Sequence, residues 1–79
     1  MYTITNETAE KLNNNFSYHS PVSGQNERYE AIRAFAKEFA EYVVVNTPQS
    51  REQSVALTKL EEVVFWANAS IARNEKVAA

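Results

Sequence analysis

Cysteine is absent from this sequence, and glycine and histidine each occur only once. Without cysteine the chain has no disulfide, no thiolate metal ligand and no thiol nucleophile. A single histidine does not supply the ligand cluster that a zinc site uses. We therefore expect no bound metal and no cofactor, and we expect packing or self-association to supply the stability of so short a chain.

Long apolar runs and aspartate are also missing. No stretch approaches the roughly 20 apolar residues that a membrane span requires, and the N-terminal MYTITNET lacks the regions of a signal peptide. We expect a soluble intracellular protein. The formal charge is −2, with 8 Lys and Arg residues against 10 acidic ones. This balance argues against a broad duplex-DNA surface, which needs clustered cations, but it leaves room for a compact anion pocket.

Enzyme motifs are not found either. The sequence has no phosphate-cradling glycine-rich loop, no HExxH pattern and no nucleophile spaced from a base in a recognisable way. His19 stands beside Ser20 and Pro21, where a hydrogen-bonding loop residue is a more common role than a general base. We expect no catalytic residue and no enzymatic activity.

The stretch that organises the chain is residues 50–74, SREQSVALTKLEEVVFWANASIARN. Ser50 is a good N-cap, and Gln53 stands where its side chain can complete a capping box. Apolar residues then recur at steps of three and four, which is typical of one helix face. This apolar face comprises Leu57, Leu60, Val64, Ala67 and Ile71.

The other segments predict an all-α domain spanning residues 1–79. Residues 27–46 are expected to form a second long helix, and the turn that follows it predicts an antiparallel helical hairpin with residues 50–74. Residues 1–15 are typical of a short helix capped by Thr5 or Asn6. Residues 16–26 contain the only glycine and are expected to form a loop.

This hairpin carries more large apolar side chains than one protomer can bury. An exposed apolar surface of this size marks an interface, and closed self-association is the usual solution. We therefore predict a homo-oligomer. The side chains that require cover are Phe35, Phe39, Tyr42, Phe65 and Trp66.

Three residues are candidates for ligand contacts from their chemistry alone. Tyr18 lies in the loop, where its ring either pins the loop to the hairpin or meets a ligand. Arg33 and Arg73 lie among apolar or small residues, a setting that suits forked recognition of phosphate. The alternative for each arginine is an ion pair with a glutamate of another chain.

Three motifs together resemble one protein family. They are FSYHSP at residues 16–21, RYEAIR at 28–33 and the long segment 50–74. This pattern is similar to the small phage anti-CBASS proteins that act as cyclic-oligonucleotide sponges, and to the related helical-hairpin domain of Thoeris anti-defence proteins.

The resemblance implies a phage-encoded, non-enzymatic hexamer of interlocked helical hairpins in the cytoplasm of the infected bacterial host. It implies that the protein sequesters cyclic dinucleotides and, at separate pockets, cyclic trinucleotides. By the same resemblance Tyr18, with His19 beside it, stacks on a base of the dinucleotide, and Arg33 contacts its phosphate. Arg73, with Asn74 beside it, meets its symmetry copies at the trinucleotide pocket.

Two other functions remain open at this point. A purely structural hairpin that oligomerises other proteins would explain the apolar excess, but it gives the loop aromatics and the two arginines no role. A small helix-rich DNA-binding regulator would suit the size of the chain, but it conflicts with the acidic charge and with the lack of a Lys- or Arg-dense helix.

Overall fold

The computed structural model describes residues 1–75, and these residues form three α-helices without a strand. The helices are α1 (Asn6–Asn15), α2 (Gln25–Asn46) and α3 (Arg51–Asn74). The predicted all-α class, with a short first helix before two long ones, is thus confirmed. Residues 76–79 of the predicted 1–79 domain lie outside the described part of the chain.

Within the segment 1–15 predicted as a short helix, α1 covers only Asn6–Asn15, and of the two caps that the sequence offered the structure has Thr5. The Thr5 side chain accepts a hydrogen bond from the backbone N–H of Thr8 at 3.1 Å, which satisfies one of the unpaired donors of the first turn. The helix ends at Asn15, and the N–H of Phe16 donates to the carbonyl of Leu12. Alone, 10 residues of this composition would not hold a helix in water, so its contacts with α3 matter.

Helix α2 starts two residues before the predicted position 27. Gly24 precedes it with φ of 84°, a left-handed conformation that glycine adopts without steric cost. The side chain of Gln25 then accepts a bond from the N–H of Val22 at 3.0 Å. This turn folds the end of the loop into the helix, so the loop covers residues 16–24 and not 16–26.

Helix α3 has the predicted cap but not the complete capping box. Ser50 Oγ accepts from the N–H of Gln53 at 3.1 Å. The Gln53 side chain does not return to Ser50; its Nε2 donates to the carbonyl and the hydroxyl of Thr47 at 3.1 and 3.0 Å. The second half of the capping-box prediction is wrong, because the Gln53 side chain bonds instead to Thr47, the residue just after α2.

Helices α2 and α3 pack against each other, and hydrogen bonds join them at both ends. Gln25, at the start of α2, bonds to Glu75 just after α3, and Gln53 bonds to Thr47 just after α2. The α3 face predicted from spacing is the one that packs, since all five of its members are partly buried: Leu57, Leu60, Val64, Ala67 and Ile71.

No hydrophobic side chain among residues 1–75 is fully buried, and Gln25 is the one buried residue. The molecule is a plate of about 49 × 40 × 13 Å. Its accessible surface is 6902 Å², whereas a compact monomer of this mass exposes about 4,900 Å². The five side chains predicted to need cover are all exposed in the single protomer: Phe35, Phe39, Tyr42, Phe65 and Trp66.

Candidate functional site

A cleft of about 510 Å³ lies where the end of α1, the first part of α2 and the last part of α3 meet. Its lining combines apolar side chains of α3 with polar and cationic side chains from the three helices and the loop. Its lining comprises Asn15, Ser17, His19, Tyr29, Arg33, Val64, Phe65, Asn68, Ala69, Ala72 and Arg73. The volume is within the range of about 300–1,000 Å³ that small-molecule sites occupy.

Asn14 fixes one side of this cleft by bonding to both the loop and α3. Its side-chain Nδ2 donates to the carbonyl of Arg73 at 3.1 Å, and its own carbonyl lies 2.7 Å from His19 Nε2. Because a carbonyl only accepts, Nε2 must carry the proton of that bond. His19 is therefore a hydrogen-bonding loop residue in this structure, which agrees with the role expected from its sequence neighbours.

The two candidate arginines line the same cleft within one protomer. Arg33 is exposed and pairs with Glu30 one turn earlier on α2, at 3.0 Å. Arg73 is partly buried; its Nη2 donates to the carbonyl of Asn15 at 3.5 Å, and its guanidinium lies 6.0 Å from the centre of the Trp66 ring. Two cations at one cleft suit an anionic ligand, which would form charge-assisted hydrogen bonds with both.

The other two predicted residues lie outside the cleft lining. Tyr18 is 85% exposed, although its neighbours Ser17 and His19 both face the cleft. Asn74 is exposed, and its Nδ2 donates to the carbonyl of Ser70 at 3.0 Å, one turn earlier on α3. One protomer thus brings His19, Arg33 and Arg73 together and leaves Tyr18 and Asn74 at its surface.

The cleft also contains polar residues that the sequence did not single out, chiefly Tyr29 and Asn68. Asn68 Oδ1 is buried and has no hydrogen-bond partner among the described residues. An unpaired buried oxygen costs free energy, so Asn68 offers a free acceptor to a water molecule or to a ligand group that enters the cleft. The sequence feature that could have identified Asn68 is its position as a single amide side chain among the small residues of the stretch ANAS, residues 67–70.

A hydrogen-bonded cluster of polar side chains, which the sequence did not predict, lies at the same end of the molecule as the cleft. Glu75 accepts hydrogen bonds from Arg28 and Gln25, which join the start of α2 to the end of α3. The hydrogen bond from Arg28, and then that from Gln25, lowers the pKa of the Glu75 carboxyl to about 2. Stabilisation from a lowered pKa is complete above the ordinary carboxyl value and is lost as the pH falls through about 2, so this cluster is intact at neutral pH.

Neither a metal site nor a membrane span is found in the described part of the chain. Residues 1–75 contain no group of three His, Cys, Asp or Glu side chains placed to hold a metal ion. None of the three helices combines the length and the apolar character needed to cross a bilayer. The chemistry of the site is that of arginine, amide and aromatic side chains.

A comparison with protein-family models identifies one match, which covers most of the chain. The model described as "Acb2/Tad1, hairpin domain" matches residues 8–72, a span that contains all three helices apart from their outermost residues. No curated protein and no solved structure matches the chain. Since well over half of the 79 residues are matched, the chain belongs to the Acb2/Tad1 hairpin-domain family, the anti-CBASS and anti-Thoeris sponge family that its motifs resemble.

Proposed function

We propose that this protein is a phage-encoded sponge that binds and sequesters cyclic dinucleotides and cyclic trinucleotides in the cytoplasm of the infected bacterium, and so blocks CBASS antiviral signalling. The observation that carries the proposal is the family match over residues 8–72. The cleft agrees with an anionic ligand, because Arg33 and Arg73 place two cations there on an otherwise acidic chain. The division of these arginines between two pockets rests on the family resemblance alone. Binding without chemistry suffices, since sequestration requires only tight binding and slow release.

We assign the two ligand classes to different residues. Tyr18, with His19, stacks on a base of the dinucleotide, and Arg33 binds its phosphate. Arg73 and Asn74 bind the trinucleotide. The exposure of the Tyr18 ring, at 85%, leaves a face available for stacking, a contact that contributes about 1–3 kcal/mol in single-strand binders. Arg33 would exchange its surface pair with Glu30 for the phosphate, and such exposed pairs are weak enough to be displaced.

The direct test of the function is a thermal-shift panel of cyclic dinucleotides, cyclic trinucleotides and a DNA duplex. A ligand that binds only the folded protein stabilises it by about 2.7 kcal/mol at a hundredfold excess over its dissociation constant. We expect both cyclic classes to raise the melting temperature and the duplex to leave it unchanged. Chromatography of the ligand released by heating should recover it intact, as a sponge requires. Recovery of a linear product would identify an enzyme, and a shift with the duplex alone would identify a DNA-binding regulator.

We further propose that α2 and α3 form an antiparallel hairpin that interlocks with its copies into a hexamer. The support is the unburied apolar surface of the protomer, together with the surface excess of roughly 2,000 Å² over a compact monomer. Size exclusion with light scattering should give about 54 kDa, six times the 9.0 kDa protomer. A monodisperse mass near 9.0 kDa at micromolar concentration would overturn the assembly, and binding to cyclic nucleotides by that monomer would show that the site does not need it.

A further inference from the structure

The loop that carries Tyr18, residues 16–24, is held at its two ends by contacts with Arg73, in the last turn of α3, and with Glu75, just after α3. At its beginning, His19 bonds to the carbonyl of Asn14, and Asn14 donates in turn to the carbonyl of Arg73. The loop's conformation therefore depends on contacts with the last turn of α3 and not only on its own sequence.

The other end of the loop is fixed by Gln25, the most buried of the described residues at 5% exposure. Its Oε1 accepts from the N–H of Val22 at 3.0 Å, and its backbone N–H donates to the carbonyl of the same residue at 3.0 Å. Its Nε2 donates to Glu75 Oε1 at 2.9 Å. The Gln25 side chain thus connects the loop to the residue just after α3.

Arg28 completes this cluster with a forked contact. Its Nη1 and Nη2 donate to the two oxygens of the Glu75 carboxylate at 2.5 and 2.7 Å, and its Nε lies 3.4 Å from the carbonyl of Gly24. Exposed ion pairs contribute little when isolated, but a bidentate pair within a network is the exception. Here the network contains a buried amide, which cannot leave its partners without an unpaired polar group remaining.

We propose that Gln25, Arg28 and Glu75 are positioning residues for ligand binding: they hold the loop in the conformation that presents Tyr18. We call the three residues Gln25, Arg28 and Glu75 the clamp. The effect of the clamp on ligand binding rests on the proposed function, but its hydrogen bonds are present in the free protein. If the ligand had to order the loop, the free energy of that ordering would reduce the affinity. A loop that is already ordered in the free protein avoids this loss.

The direction in which two substitutions change the ligand affinity distinguishes a positioning role from direct contact with the ligand. If Arg28 itself bound phosphate, Arg28→Gln would weaken an anionic ligand, whereas Glu75→Gln would remove a nearby negative charge and strengthen it. A clamp predicts that both substitutions weaken binding, because each breaks the same pair. It also predicts that the Arg28→Gln/Glu75→Gln double variant is no weaker than either single one, because the glutamine at position 75 still offers an oxygen to Gln25 Nε2 and the lost pair is the same.

The experiment is calorimetry of the full chain with a cyclic dinucleotide that stabilises it in the panel. We expect Arg28→Gln and Glu75→Gln each to raise the dissociation constant by about two- to tenfold. Lys59→Gln is the matched control, since it removes an exposed ion pair, with Glu62 at 3.4 Å, from α3 alone. Light scattering on each variant establishes that the assembly is unchanged. Opposite effects of the two substitutions, or effects no larger than that of the control, would overturn the proposal.

Amide hydrogen exchange of residues 16–24 without ligand gives the second readout. Both clamp variants should exchange faster in this loop than the parent and the Lys59→Gln control, while the middle of α3 exchanges as before. Unchanged exchange would overturn the clamp even if affinity fell. If the parent binds no cyclic nucleotide, the proposed function fails, and exchange alone then decides whether the cluster holds the loop.

Discussion

Replacing Arg73 with alanine is expected to abolish trinucleotide binding while leaving dinucleotide binding nearly intact. In a symmetric assembly one substitution removes several copies of the same guanidinium from a shared pocket, so the losses act together on one ligand. The fold should survive, because the bond from Asn14 goes to the backbone carbonyl of Arg73, which alanine retains. Calorimetry with one ligand of each class measures the separation.

Two further variants make this result interpretable. Arg51→Ala removes the same charge from the exposed first residue of α3, far along the helix from the cleft, and should change neither affinity. Tyr18→Ala should show the reciprocal pattern, weakening the dinucleotide by about 1–3 kcal/mol through the lost stacking surface. Because Arg33 and Arg73 line one cleft in the protomer, a single shared pocket is the competing arrangement. Equal weakening of both ligands by either variant, with the assembly intact, would establish that arrangement.

Local chemistry predicted much of the fold. The N-caps at Thr5 and Ser50 follow from hydroxyl side chains that accept from the first turn, and such bonds span only three residues. The packed face of α3 follows from helical periodicity in the same way. The start of α2 at Gln25 escaped prediction because it depends on a left-handed Gly24 and a side-chain bond back to Val22.

The site was less accessible to sequence reasoning, because its contacts join residues far apart in the chain. The Arg28–Glu75 pair spans 47 positions and the Asn14–Arg73 bond spans 59, and no local pattern indicates either partner. Arg33 and Arg73 were chosen for their chemistry and for the family resemblance. Tyr29 and Asn68, which also line the cleft, were not predicted. A tyrosine at helical spacing is most simply interpreted as part of a packed face, and a single amide among small residues forms no motif.

The family resemblance added what the residues alone did not. Apolar periodicity predicted a partner for the chain, and the exposed aromatic residues of α2 and α3 agree with that prediction. It did not specify six copies or cyclic nucleotides. Those expectations entered with the resemblance of residues 16–21, 28–33 and 50–74 to one family, and the match over residues 8–72 confirms that family while ending just before Arg73 and Asn74. The pocket assignments therefore stay predictions for mutagenesis.

Trp66→Ala is expected to destabilise the assembled protein by roughly 3–5 kcal/mol, the cost of removing a large side chain from a packed interior. Within one protomer Trp66 is 65% exposed, and the Arg73 guanidinium makes a cation–π contact with its ring at 6.0 Å from the ring centre. At an exposed site such a cation–π contact contributes only about 0.5–1 kcal/mol. A larger loss therefore requires that a second copy covers the ring.

Denaturant unfolding at two protein concentrations measures this loss, because the stability of an assembly depends on protomer concentration. Trp66 is the only tryptophan, so its emission reports on its own burial and should move to longer wavelength when dilution separates the copies. Tyr18→Ala is the control, since it removes an aromatic side chain that is 85% exposed in the loop and should leave mass and unfolding unchanged. If Trp66→Ala instead costs no more than the cation–π contact and keeps the parent mass, the ring faces solvent in the assembly. The interface must then be formed by other exposed side chains, such as Phe65 of α3 and the aromatic residues of α2.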